Sequence, residues 1–137
     1  MARDNDQTPT ILVVENNGDV LELVTTIVAA QGWQPLAAVG LAEARELLRQ
    51  QGVDAIVTDL SLDDGDGLEL VREVRSSLAY PLPMLVISSY ATAEMRELAR
   101  QAGAIDLLEK PFRMSHLATV LTEAMSRQPA RSTASSG

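Results

Sequence analysis

Apolar residues in this chain follow two alternating rhythms. Five short runs are nearly unbroken: Ile11-Leu12-Val13-Val14, Leu36-Ala37-Ala38-Val39, Ala55-Ile56-Val57, Met84-Leu85-Val86-Ile87 and Ile105 to Leu108. Continuous rather than alternating runs of this length are the pattern of strands covered on both faces. Between and after them, apolar stripes recur at helical spacing: Val20, Leu23, Val24 and Ile27; Leu41, Ala44, Leu47 and Leu48; Leu68, Val71 and Val74; Met95, Leu98 and Ala102; and Leu117, Val120, Leu121 and Ala124. Gly32, Gly52 and Gly103 each follow a predicted helix, where a left-handed cap residue is favoured. Strict alternation of strand and helix calls for parallel pairing, right-handed crossovers and helices on both faces. The predicted fold class is α/β, a flavodoxin-like doubly wound five-stranded parallel sheet of order 2-1-3-4-5 with five helices.

Residues 10–127 carry this pattern and form the predicted domain. Residues 1–9 are read as a flexible N-terminus, and 128–137, rich in Ser and Ala and without periodicity, as a disordered tail or the start of a linker. A chain of 137 residues fits one domain. The absence of cysteine removes disulfides, thiol catalysis and thiolate metal sites, and points to the cytoplasm. No stretch approaches the roughly 18 apolar residues of a membrane span. A net charge of −8 repels a phosphate backbone, so neither direct nucleic-acid binding nor a membrane partner is expected.

The chemistry follows from the topology. Parallel strands present their carboxyl ends on one edge, and ligands bind there, where the strand order reverses. Beyond the predicted strands stand Glu15 and Asn16, then Asp59, Ser88 and Lys110. Two carboxylates, an amide, a hydroxyl and an ammonium around one crevice suit phosphoryl transfer, which asks a protein mainly to position groups and neutralise oxygen charge. Asp59 is the candidate nucleophile. Glu15, Asp59 and the Ser61 backbone carbonyl are candidate ligands for a hard cation such as Mg²⁺, with Asn16 as a neutral oxygen ligand or acting through water. Lys110 offers a point positive charge and Ser88 a hydroxyl donor to the phosphoryl oxygens.

Those same segments resemble a known family. Ile11-Leu12-Val13-Val14-Glu15-Asn16-Asn17, Ala55-Ile56-Val57-Thr58-Asp59-Leu60, Leu62-Asp63-Asp64-Gly65-Asp66-Gly67-Leu68-Glu69-Leu70, Pro83-Met84-Leu85-Val86-Ile87-Ser88-Ser89-Tyr90 and Ala102-Gly103-Ala104 through Lys110-Pro111-Phe112 are together similar to the receiver domains of two-component response regulators. The resemblance covers Thr10 to Arg127. It implies that a histidine kinase or a histidine phosphotransfer protein donates a phosphoryl group to Asp59 and that a downstream effector protein or domain reads the change. It further implies a cis peptide at Lys110-Pro111, room for the phosphoryl group beside Ser89, and an influence of Ser61 and Tyr90 on hydrolysis. Oligomeric state stays open, a homodimer included.

Three departures from the family pattern bear on function. Asn16 replaces the usual second acidic residue, so the site loses one negative charge and weaker cation binding is expected. Asp63 replaces a proline. Leu107 stands where the family places an aromatic switch residue, which leaves signalling to the loop after Ser88 or to Tyr90. Two alternatives compete: an aspartyl-nucleophile phosphatase, which would want a second acid where Ser61 stands, and an atypical receiver working as a phosphorylation-independent docking or dimerisation module. Asp63, Asp64 and Asp66 read as a solvated turn and helix N-terminus. They do not read as a calcium loop, since Asp64 and Leu70 occupy its required Gly and Glu positions. His116 is expected on an exposed helix surface, and Trp33 and Tyr80 in packing roles.

Overall fold

The computed structural model describes residues 8–77 and 81–127. Tyr80, the tail 128–137 and most of the N-terminal segment lie outside the described residues. In chain order the elements are β1 (Thr10–Val14), α1 (Gly18–Ala30), β2 (Gln34–Ala38), α2 (Leu41–Gln50), β3 (Ala55–Asp59), a short pair β4 (Ser61–Leu62) and β5 (Gly65–Asp66), α3 (Gly67–Arg75), β6 (Met84–Ser88), α4 (Ala93–Ala102), β7 (Asp106–Glu109) and α5 (Met114–Arg127). The main sheet has the order β2-β1-β3-β6-β7, and all four of its pairings are parallel. This is the expected doubly wound order, with the reversal between β1 and β3. The antiparallel ribbon β4-β5 was not expected.

The unbroken apolar runs of β1, β3 and β6 are explained by two cores, whereas the runs at the sheet's edges are covered only in part, Ala37, Val39 and Ile105 being exposed. Successive strand residues point to opposite faces. Leu12, Val14, Ile56, Met84, Val86 and Leu107 therefore pack with the apolar sides of α2, α3 and α4. Ile11, Val13, Ala55, Val57, Leu85, Ile87 and Leu108 pack with α1 and α5. The stripes hold with one correction, on α4: Leu98 faces solvent and Ala99 takes the buried place beside Ala102. A second correction concerns caps. Gly32 and Gly103 do adopt positive φ after α1 and at the end of α4, but Gly52 does not, because α2 ends on Gln51 in extended backbone. His116 is exposed and Trp33 packs, half-buried, against the second core.

Helix N-termini account for most of the acidic cluster. Asp66 caps α3 through a capping box, its side chain accepting from Leu68 N–H while the Glu69 side chain accepts from the Asp66 N–H. Asp64 caps a different helix. Gly40 opens α2 without a side chain, and the Asp64 carboxylate accepts from the N–H groups of Leu41 at 2.8 Å and Ala42 at 3.0 Å. Those two bonds hold its pKa below the ordinary carboxylate value. The turn after the phosphoacceptor candidate is thereby pinned to the start of α2.

Gly67 pins it from the other side. Its N–H donates to the Leu60 carbonyl at 2.7 Å, and a Cβ there would stand 2.1 Å from the Asp59 carbonyl oxygen and 2.9 Å from Thr58 Oγ1. Backbone cannot move aside as a flexible side chain does. Gly67→Ala is expected to destabilise the fold by about 3 kcal/mol in urea unfolding; a loss of less than about 1 kcal/mol would show that the β3 end and the α3 start separate easily.

Candidate functional site

Two of the site residues, Glu15 and Lys110, are held by the sheet's own ladder carried one residue past a strand end. The Glu15 N–H donates to the Ala38 carbonyl at 2.9 Å, continuing β1 against β2, and the Lys110 N–H donates to the Ser88 carbonyl at 2.8 Å, continuing β7 against β6. Asp59 and Ser88 are the last residues of β3 and β6. The Lys110-Pro111 peptide is cis, as the sequence resemblance implied.

Three of these side chains meet directly. Lys110 Nζ lies 2.9 Å from Glu15 Oε1 and 3.1 Å from Asp59 Oδ2. Glu15 is fully buried and Asp59 nearly so. The second Glu15 oxygen accepts from the Asn17 N–H at 3.0 Å. Oε1 has the ammonium beside it but no donor in hydrogen-bond geometry. Ser61 adjoins the group through its N–H, 3.4 Å from Asp59 Oδ1. Asn16 does not touch the trio; its Nδ2 donates to Asp63 Oδ1 at 3.1 Å. Ser88 shares the edge, but its hydroxyl is engaged elsewhere, accepting from the Tyr90 N–H at 2.9 Å and donating to the Tyr90 carbonyl at 3.3 Å.

The electrostatics follow from that burial. Desolvation raises the Glu15 pKa, and the nearby Asp59 charge adds to it, against the lowering effect of the Asn17 N–H and of Lys110. For Lys110, burial acts downward, but the two carboxylates outweigh it and the net shift is upward, so the ammonium stays charged. Among the described residues no three His, Cys, Asp or Glu side chains group closely enough to hold a metal. Two buried carboxylates and nearby neutral oxygens nevertheless form a hard donor set. Glu15 and Asp59 share one ammonium, Lys110, so the pair keeps one negative charge that a cation such as Mg²⁺ would balance. A cavity of about 370 Å³ between α2 and α3, bordered by Arg45, Leu48, Leu70 and Val74, contains none of these groups.

Sequence reasoning did not single out Asn17 as a holder of Glu15, nor Thr58, whose Oγ1 donates to the Asp59 carbonyl at 2.9 Å. It also passed over Gly67. Asn17 carries a readable signal, since it caps α1 by accepting from the Val20 N–H. For Thr58 and Gly67 no local pattern marks the role.

The raised Glu15 pKa fixes a sign. A carboxyl whose pKa is higher folded than unfolded takes up a proton on folding, so its contribution to stability falls as pH rises from the ordinary 4.5 through the folded value. In EDTA, the melting temperature of Glu15→Gln relative to the native protein is expected to climb as pH rises through that window and then level off. A relative fall over the same window would mean that the Lys110 ion pair outweighs desolvation.

The comparisons agree with the geometry. The family model of the response regulator receiver domain matches residues 11–122. PilR, a response regulator protein of Pseudomonas aeruginosa, is 31% identical over 115 residues, covering 83% of this chain and 25% of PilR. KdpE, the KDP operon transcriptional regulatory protein of Escherichia coli, is 31% identical over 120 residues, covering 88% of this chain and 52% of KdpE. The chain thus spans between a quarter and about half the length of the curated relatives it matches. A response regulator structure from Thermotoga maritima superposes with a TM-score of 0.78 at 27% identity, covering 87% of this chain and 98% of that one. With this match over most of its length, the fold order at the sheet edge and the three charged groups converging there, the chain belongs to the family of response regulator receiver domains.

Proposed function

We propose that this receiver accepts a phosphoryl group on Asp59 from a histidine kinase or a histidine phosphotransfer protein and passes the signal to an effector protein or domain through its loop after Ser88. One observation carries the reading: Lys110 bridges Glu15 and Asp59 at 2.9 and 3.1 Å, so that three strand ends converge on one buried charge cluster. An Asp59 oxygen would form the new P–O bond as the P–N bond to the donor imidazole breaks, leaving an acyl phosphate. Mg²⁺, held by the Glu15 and Asp59 carboxylates, the Asn16 amide oxygen and the Ser61 carbonyl, would supply neutralisation of phosphoryl oxygen charge. Lys110 keeps its proton and pairs with the transferred group once Asp59 is phosphorylated. Nothing in the comparisons favours the phosphorylation-independent docking reading.

The output route follows from the Ser88 hydroxyl. It has one proton to donate, now given to the Tyr90 carbonyl. Donating instead to a phosphoryl oxygen releases Tyr90, whose side chain is largely exposed. The aromatic exchange of other receivers has no counterpart, because Leu107 is buried in the first core and its carbonyl accepts from Arg96 at 2.7 Å.

Incubation with acetyl phosphate and Mg²⁺ is expected to add the mass of one phosphoryl group to the intact protein and none to Asp59→Asn; an unmodified native protein contradicts the proposal. With a beryllofluoride mimic, the Tyr90 amide resonance is expected to shift in the native protein and to stay in place in Ser88→Ala. Equal shifts in both would take Ser88 out of the route.

A further inference from the structure

The two departures nearest the site, Asn16 and Asp63, lie 47 residues apart in sequence and are bonded to each other. An asparagine amide has two unlike ends. Only Oδ1 can face a cation, and a carboxylate, having no proton, can accept only from Nδ2. Asp63 therefore selects one orientation of the Asn16 amide, because the reverse would set two acceptors against each other. The neighbouring acids have other work, Asp64 capping α2 and Asp66 capping α3. Asp63 has no helix to cap, and Asn16 is its hydrogen-bond partner among the described residues. A second observation points to a cation at the same crevice: Glu15, next to Asn16, and Asp59 are two buried carboxylates that share the single Lys110 ammonium, at 2.9 and 3.1 Å, which leaves one of their charges without a counterion.

We infer that Asp63 is a positioning residue of the cation site. It holds the Asn16 amide with its carbonyl oxygen as the free end, and it returns to this corner the negative charge that an aspartate at position 16 would carry. The inference rests on the phosphoacceptor reading above and adds to it a division of labour, in which a neutral ligand on the β1 loop is oriented and charge-compensated by a carboxylate on the β4 strand's turn.

Calorimetric titration of the full chain with Mg²⁺ alone tests this, with no phosphoryl donor present. Asp63→Asn keeps a side chain able to accept from Asn16 but loses the charge and the selection, and is expected to weaken Mg²⁺ binding about three- to tenfold. In an Asn16→Asp background, where position 16 carries its own carboxylate, the same change is expected to cost less than about twofold or to tighten binding by relieving like-charge repulsion. Both residues are exposed, so unchanged circular dichroism and melting are expected for every variant. Native-like binding by Asp63→Asn overturns the inference, as does an equal loss in both backgrounds, which would make Asp63 a mere surface charge. Failure of the native protein to bind Mg²⁺ overturns the cation reading of the site and this inference with it. Phosphorylation of Asp59 by acetyl phosphate together with native-like Mg²⁺ binding in Asp63→Asn overturns this inference alone.

Discussion

Charge balance in a buried crevice governs this molecule. Glu15 and Asp59 sit almost out of water at the end of a sheet whose central strands are almost wholly buried, and an unpaired carboxylate there is strongly disfavoured. Lys110 is the one ammonium in contact with both. The resting cluster therefore carries one net negative charge, and a divalent cation would turn that into one positive. An acyl phosphate on Asp59 replaces a single negative charge by two, which brings the cation-loaded cluster to neutrality. A receiver with an aspartate at position 16 would reach the same state with one negative charge left over. In this chain the nearby carboxylate is Asp63, which stands outside the buried cluster and accepts from the Asn16 amide.

Ladder continuity is what makes such a cluster reproducible. Glu15 and Lys110 are placed by backbone hydrogen bonds to Ala38 and Ser88, so their Cα positions are set by the sheet and not by loop conformation. Asp59 is fixed from below by the β3 register against Ile87 and from above by Gly67, which allows the start of α3 to touch the Asp59 carbonyl. Side-chain freedom is left to Lys110, the least buried of the three and the group that must change partners when Asp59 is modified.

How much of this was legible in the sequence depended on how local the cause was. Continuous runs such as Met84 to Ile87 announced two-sided burial, and the strand-helix alternation then put Glu15, Asn16, Asp59, Ser88 and Lys110 on one edge, without telling the three whose side chains meet from Asn16 and Ser88, which bond elsewhere. The α4 stripe misplaced Leu98 because alanine at 99 fits the close packing of that face, and hydrophobicity cannot distinguish a small buried residue from a large exposed one. Gly52 resembled a cap in sequence, yet α2 leaves through an extended Gln51, and no left-handed residue is needed there. The ribbon Ser61–Asp66 is two residues per strand, below the length at which any period can be read. Asp64 capping a helix that begins 23 residues earlier, and Asp63 bonded to Asn16, are tertiary pairings with no local trace.

Departures from a family pattern are easily scored one at a time as losses. Asn16 then looks like a weakened metal site, Asp63 like an irrelevant surface acid, and Leu107 like a broken switch. In three dimensions the first two are one arrangement, since the carboxylate missing from the β1 loop reappears on the opposing turn in contact with the amide that replaced it. The third has a similar logic. A buried aliphatic Leu107, with its carbonyl tied to Arg96, leaves the β7 edge without a movable ring, while the Ser88 hydroxyl is already bonded on both sides to the backbone of Tyr90. On the proposed reading, a rearrangement that begins at the Ser88 side chain runs along the main chain of residues 88–90, because the Tyr90 backbone is the only described hydrogen-bond partner of that side chain.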